Sequence, residues 1–487
     1  MKALRHWSVR HAGGLRRVYD VFRKYAPSLA VVVRLVGRER SEKLFAPLER
    51  AAKGLLFDCR MCGQCVLSST GMACPENCGK EMRNGPCGGV RPDGGCEVKP
   101  KMRCVWLEAG EGRKRIAGQA PAEALLLPPV DQRHRGRSTW LQIAAREDVL
   151  PVLEQRPALR ALERPKHDFE RACESGRFLV TAEIAPPDSS DCTELLQRAS
   201  RFRGLVDALN ITDGAGAHCH LSSVAAAAVL TANGHTAVCQ MACRDRNRLA
   251  LQGDLLGAAA LGVRNFLCLT GDDIRNGDHP GAKAVFDLDA VSLLGIARGL
   301  RDAGRFASGR KLEAAPNLFL GAAANPFVPP YAERVTNLEQ KINAGAQFIQ
   351  TQFCFDLELL ENFMRAVRAR GLHERCRILV GVGALRSAKG LRWMAQHVPG
   401  VHVPEKVIQR VAHARDQALE GKKILLETIA ALRGIEGVAG VHLMGHKNED
   451  LLADAIVESG LRTRVDLDKS EGGVERHCCS AMPGSTA

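Results

Sequence analysis

Eight short apolar segments lie between residues 178 and 445, and each is followed by a polar or glycine-containing loop. Their apolar residues run continuously instead of alternating with polar ones, which is typical of parallel strands buried on both faces. Because eight strand–helix units close a (β/α)8 TIM barrel, we predict that α/β fold, with an open doubly wound sheet as the alternative. A G-x-G-x-x-G sequence follows none of them, which argues against a dinucleotide-binding Rossmann domain. The predicted strands span 178–185, 208–213, 237–243, 265–271, 317–325, 348–353, 378–383 and 440–445.

Helix-length stretches separate these segments, at residues 192–203, 222–233, 246–261, 290–303, 331–344, 356–370, 388–396 and 405–432. The chain has 487 residues, enough for more than one domain, and we assign residues 173–465 to the barrel. We find neither an apolar run of membrane-spanning length nor a signal peptide, so we predict a cytoplasmic protein without a membrane span.

Eight of the eighteen cysteines fall within a predicted metal-binding module at residues 51–110. The first three are each separated by two residues, a spacing that aims three sulfurs at one point, and the fourth precedes a proline, as in many iron–sulfur proteins. A disulfide framework is disfavoured, because such frameworks belong to short secreted chains. The alternatives that remain are two four-iron clusters, one cluster plus a zinc, or two zincs, and we favour iron–sulfur. The cysteines are Cys59, Cys62, Cys65, Cys74, Cys78, Cys87, Cys96 and Cys104.

Basic residues are concentrated at the N-terminus, where residues 1–55 hold thirteen Lys/Arg against four Asp/Glu. Leu15, Val18, Phe22 and Tyr25 recur at helical spacing, which predicts a helix ending near Pro27. We interpret residues 1–50 as a basic helical arm packed on the module, because no nucleic-acid motif accompanies the charge. Prolines interrupt residues 111–172, a predicted linker with a helix near 141–150, and residues 466–487 are predicted to be a disordered tail.

Polar residues stand at or just past the C-terminal ends of the predicted strands, which is where a barrel carries its chemistry. Several have a structural explanation as well: Asp213 with Gly214 makes a good turn, and Gln352 lies in an apolar run. Glu183 is the strongest candidate, because a carboxyl group among apolar residues needs a reason and such surroundings help a general acid to keep its proton. The positions are Glu183, Asp213, Asp272, Asn325, Gln352 and His446.

Three of these strand ends resemble the signature strands of methylenetetrahydrofolate reductase, in the same order and spacing. The sequences are Thr181-Ala182-Glu183-Ile184-Ala185-Pro186-Pro187, Leu269-Thr270-Gly271-Asp272 and Ile349-Gln350-Thr351-Gln352-Phe353-Cys354-Phe355-Asp356. The resemblance covers residues 175–465. The cysteine-rich segment resembles the small domain that accompanies this reductase in some bacteria, either fused or as a partner subunit.

The resemblance implies a flavin-dependent oxidoreductase that reduces 5,10-methylenetetrahydrofolate to 5-methyltetrahydrofolate, or runs the reverse reaction, in one-carbon metabolism. It implies Glu183 as the general acid, Asp272 as a carboxylate beside flavin and folate, and Gln352 as a folate contact. NAD(P)H or reduced ferredoxin is the expected electron donor. The flavin, FAD or FMN, is expected at Thr270, Gly271, Asp272, Phe286, Asn337 and Lys341.

The expected partners are the folate substrate, an electron-transfer or methyltransferase protein, and further copies of the chain in a homo-oligomer. Nucleic acid is not expected. Gln240, Thr270 and Asn325 depart from residues that many family members have at these places. The departures at Gln240 and Asn325 keep open an alternative function, in which the barrel is a non-catalytic folate- or flavin-binding platform that docks a methyltransferase through the cysteine-rich module.

Overall fold

A computed structural model of the chain describes residues 2–116, 126–145, 164–445 and 447–463. Four helices precede the cysteines: α1 (Lys2–Arg10), α2 (Ala12–Tyr25), α3 (Ala30–Val36) and α4 (Arg38–Phe57). The predicted N-terminal helix is α2, and a short 3-10 turn that contains Pro27 follows it. Helix α4 continues through residue 50, where we predicted the boundary between the arm and the module. Helix α5 (Val105–Arg115) begins directly after the last clustered cysteine.

A buried polar cluster joins α4 to α6 (Thr139–Ala144), which lies in the predicted linker. Lys53 Nζ donates to Thr139 Oγ1 at 2.6 Å and pairs with Glu49, whose other oxygen accepts from Ser138 Oγ at 2.6 Å. A buried charge is tolerated only when it is paired and hydrogen-bonded, so this cluster fixes α6 against the arm. In the structure the helix predicted at 141–150 spans Thr139–Ala144. Residues 146–150 and 466–487 lie outside the described residues.

Eight parallel strands form a closed barrel in which each strand pairs with the next and the last pairs with the first. This confirms the predicted (β/α)8 fold, and the observed ends differ from the predicted ends by no more than two residues. The strands are β1 (Leu179–Ile184), β2 (Ala208–Ile211), β3 (Ala237–Ala242), β4 (Asn265–Leu269), β5 (Phe319–Ala324), β6 (Phe348–Phe353), β7 (Arg377–Gly383) and β8 (Val438–Met444).

Helices surround the barrel and cover the outer faces of its strands. The stretch predicted as one helix at 405–432 forms two helices, because Asp416 accepts a hydrogen bond from Leu419 N at 3.0 Å and starts a new helix. After α7 (Asp168–Glu174), which precedes β1, the helices are α8 (Thr193–Ser200), α9 (Ser223–Ala232), α10 (Arg248–Ala260), α11 (Ala290–Arg298), α12 (Tyr331–Ala344), α13 (Leu357–Ala369), α14 (Leu372–Arg375), α15 (Ala388–His397), α16 (Glu405–His413), α17 (Gln417–Leu432) and α18 (Glu449–Glu458).

Helix α7 closes the N-terminal end of the barrel. Phe169 on this helix is fully buried and meets Phe319 and Phe348 edge-on, with ring centroids 5.7 and 5.2 Å apart. Apolar packing seals this end, so polar chemistry is left to the opposite end, where the strands finish. Within the described part of the chain, every helix is too short or too polar to cross a membrane.

Candidate active site at the barrel mouth

The structure places Glu183, Asp272 and Gln352 at one end of the barrel. Glu183 lies near the end of β1, Gln352 near the end of β6, and Asp272 three residues beyond β4. All three are partly exposed, whereas the strands below them are buried. Because the C-terminal ends of parallel barrel strands share one face, these side chains surround a common mouth.

Glu183 is held by two side chains from other strands. Gln240 on β3 donates from Nε2 to Glu183 Oε2 at 3.1 Å. His442 on β8 points Nε2 at the same oxygen from 3.8 Å, which is beyond hydrogen-bond length. The Glu183 side chain keeps 28% of its surface exposed, so the carboxyl group is anchored on one side and open to the mouth.

A buried polar network lies beneath Glu183, and sequence reasoning missed it. His442 Nδ1 lies 2.9 Å from Thr181 Oγ1, and Gln350 Nε2 lies 3.1 Å from that hydroxyl and 3.3 Å from the same ring nitrogen. Asn210 completes the network through two hydrogen bonds with Gln350, at 2.6 and 3.0 Å. The sequence offers one signal for this network: Thr181 and Glu183 are two residues apart on one strand, which places both side chains on the same face of the sheet.

The Gly271–Asp272 turn is contacted from two sides. Asp272 accepts a hydrogen bond from Gly216 N at 3.0 Å, and Lys80 of the cysteine-rich module donates to Gly271 O at 2.6 Å. Gly271 has a φ of +98°, and a Cβ there would lie 2.8 Å from Arg244 Cβ, so the position requires glycine. The module thus reaches the edge of the mouth.

Lys80 is a buried cation beside this turn, and it pairs with Glu97 inside the module. Burial alone would lower the pKa of Lys80, but the charges of Glu97, Cys87 and Asp272 raise it above its ordinary value. Lys80 therefore brings a fixed positive charge close to Asp272.

The other strand-end candidates have structural partners. Asp213 accepts from Ala242 N at 2.7 Å and pairs with Arg246, so it ties the end of β2 to β3. Asn325 donates from Nδ2 to Gly88 O of the module at 2.9 Å and to Gly400 O at 2.8 Å. These contacts account for the two side chains without any role in chemistry. The last candidate, His446, lies outside the described residues.

The residues expected to bind flavin fall into two groups. Thr270 and Lys341 join Gly271 and Asp272 near the mouth; Thr270 Oγ1 accepts from Ala290 N at 3.2 Å, and Lys341 Nζ donates to Ala323 O at 2.7 Å. Burial and the charge of Arg334 lower the pKa of Lys341 to about 8, although the negative charge of Asp289 opposes the shift.

Phe286 and Asn337, which lies one helical turn before Lys341 on α12, face the cysteine-rich module. Asn337 is buried and donates to Asn84 O of the module at 3.4 Å. Phe286 lines a cavity of about 460 Å³ between the module and the barrel, together with Arg83 and Arg248. Glu183, Asp272 and Gln352 are not among the residues that line that cavity.

The eight clustered cysteines divide into two sets of four, each around its own small cavity. The hydrogen bond to Cys59, burial, and the charges of Cys59, Cys62 and Cys65 raise the pKa of Cys74. Burial and the neighbouring thiols raise the pKa of Cys104 to about 12. Thiols that perturb one another in this way lie close together. The first set is Cys59, Cys62, Cys65 and Cys74, and the second is Cys78, Cys87, Cys96 and Cys104.

Neither set is arranged around a single ion. Among the residues that the structure describes, no group of three or more His, Cys, Asp or Glu side chains is placed to hold one metal ion. The assignment of iron–sulfur or zinc to these two sets stays a prediction from the spacing of the cysteines.

Two family profiles match the chain. The profile for methylenetetrahydrofolate reductase matches residues 168–460, which contain the whole barrel. A second profile, described as the C-terminal part of methylene-tetrahydrofolate reductase, matches residues 39–133, which contain all eight clustered cysteines.

The individual relatives have low sequence identity to this chain. A Caenorhabditis elegans protein named probable methylenetetrahydrofolate reductase (NADPH) is 24% identical to this chain over 248 residues. The match covers 49% of this chain and 34% of that relative, so the chain spans about a third of the relative's length. An uncharacterised Clostridium thermocellum protein that binds two copies of 5-methyl-5,6,7,8-tetrahydrofolic acid is similar in structure, with a TM-score of 0.41 and 12% identity over 60% of this chain and 96% of that one. A Yersinia pestis DHPS structure has a TM-score of 0.30 and 14% identity over 58% and 93% of the two chains.

Proposed function

The chain belongs to the methylenetetrahydrofolate reductase family, and from this premise we propose that it interconverts 5,10-methylenetetrahydrofolate and 5-methyltetrahydrofolate as an oxidoreductase. The observation that carries the proposal is the position of Glu183, anchored by Gln240 at the mouth of a barrel that the family profile spans from end to end. The reaction adds a proton and a hydride to the folate, and the side chains at the mouth suit these two transfers.

Glu183 is the general acid in the reductive direction. Its proton passes to N10 of the folate while the bond between N10 and the bridging methylene carbon breaks, which leaves an iminium cation at N5. Gln240 occupies Oε2, so the transferred proton is carried by Oε1. Hydride supplied by a reduced nicotinamide nucleotide would then complete the methyl group, and the nicotinamide would be oxidised.

Asp272 and Gln352 act on the folate without exchanging atoms with it. The negative charge of Asp272 stabilises the iminium cation, and its carboxylate is fixed by the hydrogen bond from Gly216 N. Gln352 accepts from Phe353 N at 3.0 Å, so its carbonyl oxygen is oriented and its amide group is left to donate to the pterin.

A flavin fits this mouth at Thr270, Gly271, Asp272 and Lys341. The turn at Gly271 has no room for a side chain, and the lowered pKa of Lys341 describes a cation that a phosphate would stabilise. A bound flavin would carry hydride equivalents between the nicotinamide and the folate. Asn337 and Phe286 fit less well, because the first is bonded to the module and the second lines the cavity between the module and the barrel.

The two cysteine sets would hold two iron–sulfur clusters, which supply one-electron transfer. Backbone and side-chain donors around the sulfurs support this assignment: Met61 N donates to Cys59 Sγ at 3.4 Å, and Arg83 lies 4.0 Å from Cys62 Sγ. The second set is tied to the mouth through Lys80, two residues from Cys78. A protein donor such as reduced ferredoxin would deliver electrons along this route.

The test replaces Glu183 with Gln, which keeps the shape of the side chain and removes its acidic proton. Loss of a general acid lowers the rate by about 10²- to 10⁴-fold, and we expect this fall in kcat for methyltetrahydrofolate formation, measured by chromatography with excess reduced nicotinamide. Glu194→Gln is the matched control, because its side chain on α8 is 64% exposed and pairs with Arg198 of the same helix. Wild-type turnover in Glu183→Gln would contradict the proposal.

A further inference from the structure

His442 is the one titratable side chain that the network beneath Glu183 contains, and no chemistry has been assigned to it so far. It is buried on β8, with 3% of its side chain exposed, and in the barrel sheet it lies directly opposite Thr181 of β1. Its two ring nitrogens face different partners: Nδ1 faces Thr181 and Gln350, and Nε2 faces Glu183.

The hydrogen bonds around Nδ1 determine where the ring proton sits. Gln350 can only donate through Nε2, and its amide oxygen is already engaged by Asn210 Nδ2 at 2.6 Å. The Gln350 amide group donates to Thr181 Oγ1 at 3.1 Å, and the threonine hydroxyl then has two acceptors, His442 Nδ1 at 2.9 Å and Val441 O at 3.5 Å. The nearer acceptor is His442 Nδ1, which makes the stronger hydrogen bond. With donors directed at Nδ1, this nitrogen is an acceptor, and a neutral imidazole then carries its proton on Nε2.

The proton on Nε2 is directed at the general acid. Nε2 lies 3.8 Å from Glu183 Oε2, the oxygen that already accepts from Gln240. Catalytic hydrogen bonds are often long without substrate and shorten in the complex. When Glu183 gives its proton to the folate, negative charge appears on the carboxylate, and a second N–H donor at Oε2 stabilises it.

We infer that His442 is a positioning residue for Glu183: Thr181 and Gln350 hold it as the Nε2–H tautomer, and it fixes Oε2 and stabilises the carboxylate left after proton transfer. It does not exchange protons with the folate. The inference deepens the proposed function, because it concerns the acid of the same site.

Two substitutions at His442 separate this role from packing. A glutamine amide group can place an N–H donor at the position of Nε2. The shorter asparagine amide reaches only the position of Nδ1, so Glu183 loses its donor. We expect His442→Asn to lower kcat by roughly tenfold to a hundredfold, the effect of one hydrogen bond to a charged group, with the KM for the folate within twofold of wild type. We expect His442→Gln to stay within threefold of wild type in both constants.

His397→Asn is the matched control, because this histidine is exposed on α15 and bonds only to its own helix at Trp393 O. Its expected effect is none. The inference is overturned if His442→Asn keeps its kcat within threefold of wild type, or if both variants at 442 lose activity equally while the folate KM rises.

A spectroscopic measurement on wild-type protein covers the case in which the variants fail to fold. Nitrogen-15 NMR of histidine-labelled full-length chain, assigned by comparison with His442→Gln or by its shift on adding folate, reports the tautomer. We expect a protonated Nε2 and an unprotonated Nδ1; the reverse tautomer, or an imidazolium at neutral pH, refutes the inference. Failure of the proposed function is distinct from this, because it appears as full activity in Glu183→Gln whatever His442 does.

Discussion

Asp289 joins the cysteine-rich module to the barrel, and its replacement by asparagine tests that junction. One carboxylate oxygen, Oδ2, accepts from Arg83 N at 3.0 Å and from Asn84 N at 2.8 Å, both in the module. The other oxygen, Oδ1, accepts from Ser292 N and Ser292 Oγ, both at 2.8 Å, and caps helix α11. An asparagine has one acceptor oxygen, so it can satisfy the helix or the module but not both.

The magnitude follows from the bonds that are lost. Each hydrogen bond to a charged acceptor contributes about 1.5–3 kcal/mol, so loss of the two module bonds costs about 3–6 kcal/mol in local stability. The site is buried, with 3% of Asp289 exposed, which limits replacement of these bonds by water. Such a change corresponds to about a 10²- to 10⁴-fold rise in the local opening equilibrium.

Amide hydrogen exchange of the full chain measures this opening directly. We expect the amides of Arg83 and Asn84 to exchange at least a hundredfold faster in Asp289→Asn than in wild type. Asp416→Asn is the control, since Asp416 caps α17 through Leu419 N and asparagine caps a helix about as well as aspartate. Exchange within tenfold of wild type at both amides would refute the role given to Asp289.

Two further predictions concern Lys341 and the cysteine sets. The pKa of Lys341 is lowered to about 8 in the folded chain from an ordinary value of 10.5, so the unfolded chain binds more protons between these two pH values. The free energy of unfolding therefore rises with pH across that window. Denaturant titrations of Lys341→Met should show a smaller rise with pH, and a rise equal to that of wild type would contradict the assignment. Anaerobically purified protein should contain about eight iron atoms and as much acid-labile sulfide per chain. Cys62→Ser should lose about half of the iron and sulfide, whereas the control Cys219→Ser, at an exposed cysteine, should lose none. Zinc without iron would contradict the cluster assignment.

The barrel could be predicted from the sequence because its strands are buried on both faces and therefore appear as unbroken apolar runs. The division of 405–432 into α16 and α17 was not predicted, since the apolar spacing continues across the break and only the cap at Asp416 marks it. The common location of Glu183, Asp272 and Gln352 could be predicted because the C-terminal ends of the strands share one face of a barrel.

The remaining features depend on contacts between distant parts of the chain. Asn325 was grouped with the chemical residues, but its partner Gly88 lies 237 positions away and could not be inferred from local pattern. His442 and Gln350 were missed because a single polar residue inside an apolar run looks the same whether it packs alone or joins a network. The spacing of the eight cysteines did not determine which four share a cavity; the fold of the module does.

The contact of Lys80 with Gly271 has a consequence for how the two parts stay together. Covalent linkage holds a tethered domain at a millimolar effective concentration, so contacts far too weak to recruit a free subunit are enough to keep it docked. The polar junction, which includes the contacts at Lys80, Asp289 and Asn325, is therefore occupied nearly all the time. Linkage also fixes the ratio at one module per barrel. A barrel produced without residues 1–145 would leave the Gly271 carbonyl and the Asp289 carboxylate without these partners, and adding the module as a separate chain would restore them only at high concentration.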